Sequence, residues 1–291
     1  MAFNLQTFKT RTLSALIFAV VMIFGLLWSH WTFFILFTVI HFGCWLEYQK
    51  LIGLIDSDYA KITPYHKFGV MLAGCCILLY FTNDAYHIYG FRLHEMGWWL
   101  GFVSIFALPI LELLFNKEIR PKNIGYSFLG LIYISLSFGL MIDLRNVYFN
   151  HLTLGGYVDL GYIIPLGLIF SIWANDSFAY LVGSFIGRTP FSKISPKKTW
   201  EGTIGGIILC VLLMAYLGSA ARFFTLKDWI IIATIAAVAG TLGDLLESKL
   251  KRMAGVKDSG SLMPGHGGYL DRFDSLLIAI PFTWIYVYFF M

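Results

Sequence analysis

Long apolar runs separated by short polar segments dominate the chain. Nine of these runs predict membrane-spanning helices, although the shorter ones reach the roughly 20 residues that a span needs only with flanking residues. Hydrocarbon offers no partner to a backbone amide, so a helix, which pairs its own amides, is favoured in every run. The sequence therefore predicts an all-α, polytopic integral membrane protein. The predicted spans are 13–28, 31–46, 68–81, 97–115, 125–141, 161–182, 205–221, 229–242 and 275–290.

Composition agrees with this pattern. Of the 291 residues, 58% are hydrophobic and only 13% are charged, and the mean hydropathy is +0.73. A soluble domain carries about 25% charged residues, so this chain lacks the polar surface that water requires. The composition excludes a soluble globule, a disordered chain and a solvent-exposed nucleic-acid binder.

The basic residues predict an orientation. With nine spans and a cytoplasmic N-terminus, 17 of the 21 Lys and Arg residues fall on the inner side, as cytoplasmic loops prefer. The two longest polar segments, about 183–203 and 243–274, are then cytoplasmic. The first apolar run is followed at once by a second, which favours a retained hairpin over a cleaved signal peptide. We divide the chain into an N-terminal region of about five spans, 1–150, and a C-terminal region with both loops, 151–291.

The second polar segment carries the densest set of charges. Asp244, Ser248 and Lys251 recur at i, i+4 and i+7, so they share one face of a helix. Asp271 and Asp274 share a face at the start of the last span. Carboxylate oxygens suit Mg²⁺, whereas Lys, Arg and the amides of a glycine-rich turn such as 264–268 suit phosphate. The segment predicts a metal–polyphosphate site, against the alternative of an ordinary juxtamembrane loop.

The first polar segment adds two weaker signals. Asp176 lies inside an apolar run, where a carboxylate costs ~2.5–3.5 kcal/mol and is a functional candidate. The run from Ser195 through Lys198 predicts a helix start, with Ser195 as N-cap and Pro196 in the first turn. Amide donors and two lysines would then meet a phosphate, although a basic loop touching anionic lipid explains the lysines equally well. Glu112, an isolated acid in an apolar run, is expected to make a helix contact or lie near the surface.

These residues resemble a known signature. The pattern covers about residues 174–275 and is most specific between Ser248 and Asp274, with mild departures at Met263 and Tyr269. It is similar to that of the phosphatidate cytidylyltransferases, also called CDP-diacylglycerol synthases. The matching positions are Ser248-x-Leu250-Lys251-Arg252, Lys257-Asp258 and His266-Gly267-Gly268-x-x-Asp271-Arg272-x-Asp274. The upstream blocks are Gly243-Asp244-Leu245-x-Glu247-Ser248, Ser195-Pro196-Lys197-Lys198-Thr199-x-Glu201-Gly202 and Asn175-Asp176-Ser177-x-Ala179-Tyr180.

The resemblance implies a reaction in which CTP and phosphatidic acid give CDP-diacylglycerol and pyrophosphate. It also implies an all-helical membrane fold, a requirement for Mg²⁺ alone or with a second cation, and a homodimer. No nucleic-acid partner is expected. The inner membrane of a bacterium is the expected location, with the N-terminus and catalytic loops in the cytoplasm.

On this resemblance we assign roles to individual residues. Asp244, Asp271 and Asp274 are the expected metal ligands, and together with Lys251 and Arg252 they form the expected catalytic set. Asp176 is expected to orient or ligate nearby, and a direct catalytic role for His266 is one option beside holding the turn. The expected substrate-binding residues are Asp176, Ser195, Lys197, Lys198, Ser248, Lys257, His266, Gly267, Gly268 and Arg272.

Three other activities compete with this hypothesis. A CTP-dependent lipid kinase would release CDP instead of pyrophosphate. A CDP-alcohol phosphotransferase would need an aspartate-rich DG-x-x-AR run, which the sequence lacks. A transporter would explain many spans and intramembrane acids, but it has no need of a loop crowded with acids, bases and glycines.

Overall fold

The structure is a computed structural model that describes residues 5–115, 120–147, 151–153, 156–221, 223–261 and 267–291; of 5–11, 151–153 and 156–158 it describes the backbone only. Helices account for most of these residues. They are α1 Leu5–Leu27, α2 His30–Ile55, a 3₁₀ turn Tyr59–Lys61, α3 Pro64–Tyr80, α4 Leu93–Phe115, α5 Pro121–Gly130, a π-helical segment Leu131–Leu136, α6 Ser137–Asn146, α7 Ile163–Ile186, α8 Trp200–Ala221, α9 Leu226–Met253 and α10 Leu270–Phe290.

Two short antiparallel hairpins connect helices. Strands β1 and β2 pair His87 with Arg92, and Tyr89 and Gly90 both take positive φ between them, as a tight two-residue turn requires. Strands β3 and β4 pair His151 with Val158. Their bounds are β1 His87–Ile88, β2 Phe91–Arg92, β3 His151–Thr153 and β4 Gly156–Val158.

Every predicted span coincides with a helix, and the all-α membrane class is confirmed. Among the described residues, seven helices are long and apolar enough to cross a membrane. The described apolar part of α1, Thr12–Leu27, and the 17-residue α3 are shorter, so the count of nine spans stays a prediction. The seven are His30–Ile55, Leu93–Phe115, Pro121–Asn146, Ile163–Ile186, Trp200–Ala221, Leu226–Met253 and Leu270–Phe290.

The chain forms two compact units. The first comprises Met1–Val147 and Met253–Arg272, and the second comprises Tyr148–Arg252 and Phe273–Met291. The segment after α9, with most of the sequence signature, therefore groups with the N-terminal helices. The predicted division at residue 150 into a helical and a catalytic region stays a prediction.

Helix α2 lies at the core of the first unit. Phe37 and Trp45 are fully buried, and polar atoms on the same helix are paired with the π-helical segment. The indole Nε1 of Trp45 donates to Ser135 Oγ over 2.8 Å, and His41 Nε2 lies 2.9 Å from the same oxygen. Pairing inside the core is what a buried polar group needs in an apolar surrounding.

Helices α7 and α8 pack closely in the second unit. A Cβ added at Gly206 would lie 2.8 Å from the Ala179 Cβ, and one added at Gly202 would lie 2.9 Å from the Gly183 Cα. Small residues at such positions let two membrane helices approach backbone to backbone. This contact fixes the start of α8, and with it the loop that precedes the helix.

Candidate active site

Three carboxylates meet in the second unit. Asp244 and Glu247 lie one turn apart on α9, Asp274 lies in the second turn of α10, and one oxygen of each is within 4.8 Å of the others. Glu247 is 0% exposed and Asp274 8% exposed, whereas Asp244 is partly exposed. We call these three residues the carboxylate cluster. Asp244 and Asp274 thus lie together although they come from two helices.

Two lysines balance much of this negative charge. Lys198, from the loop before α8, forms an ion pair with Asp244. Lys251 pairs with Glu247 one turn along α9, since residues at i and i+4 share a helix face. Three ionised carboxylates beside two ammonium groups would carry an excess of negative charge, which favours a cation.

Two further predicted residues adjoin the carboxylate cluster. Ser248 Oγ donates to Asp244 Oδ1 over 3.4 Å, as their shared helix face predicts. Asp176 of α7 is exposed and lies close enough to Asp274 to act on it electrostatically. The structure thus brings together five predicted residues: Asp176, Lys198, Ser248, Asp244 and Asp274.

The loop that carries Lys198 folds back before α8, so that residues 189–191 pair with residues 198–200. Phe191 N donates to Lys198 O over 2.8 Å, and Trp200 N donates to Thr189 O over 3.0 Å. Glu201, in the first turn of α8, accepts hydrogen bonds from the backbone of Arg188 and Thr189 at 3.1 Å. This anchoring holds Lys198 at the start of α8, beside Asp244.

The predicted helix start at Ser195 is wrong. Lys198 N donates to Ser195 O over 3.1 Å, closing a turn, and the chain then pairs backwards with residues 189–191. The helix begins only at Trp200, where Thr199 Oγ1 accepts from Gly202 N over 3.1 Å and acts as the N-cap. Pairing within the loop outweighs the local preference of Ser-Pro for a first turn.

The signature segment of the first unit folds around Asp271. Its Oδ2 accepts from Ser259 N at 2.8 Å, from Ser259 Oγ at 2.9 Å and from Gly268 N at 2.8 Å. Gly267 has φ +84°, which glycine adopts without strain. Asp271 therefore organises the turn, and its role as a metal ligand stays a prediction.

A residue of α2 holds the same segment. Glu47, 9% exposed, accepts from Ser259 Oγ at 2.6 Å, from Tyr269 N at 2.9 Å and from Leu270 N at 2.9 Å. Two of these donors are amides at the start of α10, where a helix leaves its first N–H groups without partners. Burial, together with Cys44 and Glu47, raises the pKa of the Tyr269 phenol, so that side chain stays neutral.

The other predicted residues take separate positions. Lys197, Arg252, Lys257 and Arg272 are exposed, and Ser195 and Gly267 are partly exposed. His266 lies outside the described residues, so its expected role stays a prediction. The Gly268 amide, expected to meet a phosphate, donates to Asp271.

The donor set of the carboxylate cluster fits Mg²⁺. Carboxylate oxygens are the ligands this hard cation prefers, and it binds through one or two of them while keeping waters and phosphate oxygens. Asp244, Glu247 and Asp274 offer oxygen donors alone, and the partly exposed Asp244 leaves one side open. The residues that would hold the ion are therefore these three.

No role was assigned from the sequence to two acids, Glu247 and Glu47. Glu247 lies three residues after Asp244 and four residues before Lys251. This spacing places it on the same helix face, so the sequence could have indicated its role. Glu47 sits between Leu46 and Tyr48 in an apolar run. An intramembrane acid is a functional candidate, but its partners lie more than 200 residues away and no local pattern reveals them.

Comparison with known proteins identifies the family of this chain. The family described as the cytidylyltransferase family matches residues 9–290. The chain is 31% identical to the phosphatidate cytidylyltransferase of Haemophilus influenzae, over 97% of this chain and 99% of that protein. It is 33% identical to that of Thermotoga maritima, over 83% and 89%, and 37% identical to that of Bacillus subtilis, over 62% and 66%. This chain, with its carboxylate cluster on α9 and α10, belongs to the cytidylyltransferase family.

Proposed function

We propose that this protein is a phosphatidate cytidylyltransferase, which transfers CMP from CTP to phosphatidic acid and releases pyrophosphate. The carboxylate cluster with its two lysines is the observation that carries the proposal. It lies at the ends of membrane helices, where a soluble nucleotide and a membrane lipid are able to meet. One relative that carries this activity in its name covers 97% of the chain.

The chemistry demands charge control more than base catalysis. The phosphate of phosphatidic acid is already an anionic nucleophile, so its attack on the α-phosphate of CTP needs no strong base. The barrier arises from bringing a phosphate against a triphosphate in line, which cations and positioning overcome. When bound, Mg²⁺ supplies neutralising charge to the triphosphate.

The remaining tasks are proposed for the carboxylate cluster and for residues of the two polar segments. Asp244, Glu247 and Asp274 are proposed to hold the metal, and Asp271 remains a proposed further ligand. Lys198 and Lys251, which pair with Asp244 and Glu247, are proposed to exchange those partners for substrate phosphates. The other expected phosphate-binding groups are Arg252, Lys257, Arg272, Ser195, Lys197 and Ser248.

Location and assembly extend the proposal. The seven apolar helices found in the described part of the chain make this an integral membrane protein. We propose that it lies in a bacterial inner membrane with the carboxylate cluster on the cytoplasmic side, where CTP is available. A homodimer without nucleic acid is the proposed assembly.

The decisive experiment identifies the products. Purified protein in lipid nanodiscs receives CTP, phosphatidic acid and Mg²⁺, and lipid and nucleotide products are analysed by mass spectrometry. The expected products are CDP-diacylglycerol and pyrophosphate, in equal amounts. Release of CDP with a newly phosphorylated lipid would instead identify a kinase, and recovery of both substrates unchanged would contradict the proposal.

Two variants test the metal assignment. Asp244→Asn and Asp271→Asn are each expected to lower Mg²⁺-dependent turnover by about 100-fold, because a neutral amide binds the cation poorly. Glu95→Gln, at an exposed acid of α4, serves as the control. Wild-type rates in both aspartate variants would end the assignment.

A further inference from the structure

The first unit contains a large apolar cavity that uses none of the proposed catalytic residues. It lies among α3, α4 and α5 and encloses about 780 Å³, within the range of about 300–1,000 Å³ typical of small-molecule sites. Val70, Ile77, Leu108 and Leu131 are among the side chains that line it. This volume is ample for a hydrocarbon chain.

The cavity follows the length of α3 and opens through exposed side chains. Its lining extends along α3 from Tyr65 to Tyr80, which corresponds to about 22 Å of helix. That length exceeds the hydrocarbon thickness of one leaflet, which is about 15 Å. Ile105 and Phe128, which also line it, are 67% and 60% exposed, so an acyl chain is able to enter from the surrounding lipid.

A polar cluster closes one end of this cavity. His66 Nδ1 lies 3.0 Å from Glu112 Oε2, and His66 Nε2 lies 2.7 Å from Ser127 Oγ. Tyr59 OH lies 3.1 Å from the same Ser127 oxygen. Three of these residues, His66, Glu112 and Ser127, line the cavity, and His66 and Ser127 are 7% and 4% exposed.

The tautomer of His66 sets the direction of the hydrogen bonds in this cluster. An ionised carboxylate only accepts, so the Nδ1 of His66 carries the proton that faces Glu112. If the ring is neutral with this tautomer, Nε2 accepts from Ser127 O–H, and Tyr59 O–H is then the donor to Ser127 Oγ. The N–H and O–H groups then donate within the cluster. Its oxygen atoms are able to accept a further hydrogen bond from a ligand.

Charge decides between head groups. Among the residues that line the cavity, Glu112 is the one carboxyl group and His66 is the one imidazole. An anionic phosphate placed here would be repelled by the carboxylate. A neutral hydroxyl would instead donate a charge-assisted hydrogen bond.

We propose that this cavity binds a neutral, hydroxyl-bearing lipid of the diacylglycerol type. One acyl chain lies along α3 and α4, and the glycerol hydroxyl donates to the Glu112–Ser127 end. The site is distinct in chemistry from the carboxylate cluster, which gathers cations and phosphates. It would place a neutral lipid on an enzyme whose proposed substrate is anionic.

Photolabelling of the full chain tests the site. The protein in nanodiscs is irradiated with a diacylglycerol that carries a diazirine in its acyl chain, and the labelled peptides are identified by mass spectrometry. Label is expected on α3 and α4. Gly101→Leu, which fills the cavity, is expected to reduce that labelling about tenfold because overpacking opposes entry, and Ala73→Leu on the facing helix serves as a second filling variant should the first not fold.

Two further arms test the head-group assignment. Glu112→Gln is expected to reduce labelling about tenfold through loss of the charge-assisted hydrogen bond, whereas Glu95→Gln on the same helix should leave it unchanged. A phosphatidic acid with the same diazirine chain should label the cavity about tenfold less than the diacylglycerol, because the phosphate meets Glu112. Equal labelling by the two lipids, or wild-type labelling in a folded filling variant or in Glu112→Gln, would overturn the proposal.

Discussion

Glu247 occupies a costly position for a carboxylate. It is 0% exposed, and removing an ion from water costs several kcal/mol even after the protein relaxes. Its pairing with Lys251 offsets part of that cost, and a bound divalent cation would offset more. The position is therefore better explained by a cation site than by packing.

Replacing Glu247 tests this explanation. Glu247→Gln preserves the shape of the side chain but removes its charge, so we expect turnover to fall about 100-fold and the Mg²⁺ concentration for half-maximal rate to rise. The measurement is a Mg²⁺ titration of CDP-diacylglycerol formation. The exposed acid variant Glu95→Gln should titrate as the wild type does, and an unshifted Mg²⁺ titration of Glu247→Gln would argue for a purely structural role.

Glu47 makes a separate prediction about the signature segment. Glu47→Gln loses charge-assisted hydrogen bonds to Ser259 and to the amides at the start of α10. Such bonds are worth about 1.5–3 kcal/mol, so the thermal midpoint should fall. Hydrogen exchange at the amides of Tyr269 and Leu270 should become faster, as measured by mass spectrometry.

The alternative outcome for Glu47 is equally clear. If Glu47 acts only as a packing residue, Glu47→Gln would lower the midpoint while exchange at Tyr269 and Leu270 stays at the wild-type rate. Unchanged stability and unchanged exchange together would show that its hydrogen bonds contribute nothing. Glu95→Gln again supplies the comparison for loss of an acid without loss of these contacts.

Helices α7 and α8 depend on a backbone approach that only small residues allow. The Gly206 position would bring an added Cβ within 2.9 Å of the Ala179 backbone nitrogen and Cα, and backbone atoms cannot swing aside as side chains do. Close packing of this kind stabilises helix pairs in lipid, where the hydrophobic effect contributes little. The contact positions the start of α8, from which the Lys198 loop is held.

Overpacking this contact should loosen the loop as well as the helices. Gly206→Leu is expected to destabilise by about 1–3 kcal/mol and to raise the KM for CTP, because Lys198 loses its fixed position. Gly125→Ala is the matched control, since an added Cβ there meets nothing within 4 Å and Ala favours a helix over Gly by up to about 1 kcal/mol. Equal thermal midpoints and equal KM values for the two variants would contradict this account.

Sidedness belongs to the molecule as a whole. The connection from α2 to α3 carries Lys61, whereas the connection from α3 to α4 carries Arg92 and the acids around it. Successive connections lie on opposite sides of a membrane if α3 crosses it. The concentration of basic residues on alternate connections predicts which side is cytoplasmic.

Cysteine labelling in intact cells tests this orientation. Asp84→Cys and Lys193→Cys introduce exposed thiols on predicted opposite sides, and the native Cys44, Cys76 and Cys210 are buried. Cys75 is partly exposed, so labelling is measured above that of the unsubstituted protein. A membrane-impermeant maleimide should label Asp84→Cys directly and Lys193→Cys only after permeabilisation. The reverse pattern would invert the proposed topology, and labelling of both in intact cells would contradict a crossing between them.

Many residues of the site could be predicted from the sequence, but the contacts between residues distant in the sequence could not. Asp244, Asp274 and Lys198 were predictable because their residue types and spacing are local. The Glu47 contact with Ser259 joins positions 212 residues apart, and no periodicity carries information over that distance. Ser195 failed as a helix start for a related reason, since the strand-like pairing of Phe191 with Lys198 outweighed a local preference.

Membrane insertion, helical class and family membership were fixed by the order of residues along the chain. Hydropathy acts on each run separately, and a helix closes its hydrogen bonds within one run, so these properties need no knowledge of distant partners. The membership of the carboxylate cluster, the burial of Glu47 and the polar end of the α3–α4 cavity were decided by folding. Each depends on side chains brought together from separate helices, where low dielectric makes the choice of partner energetically important.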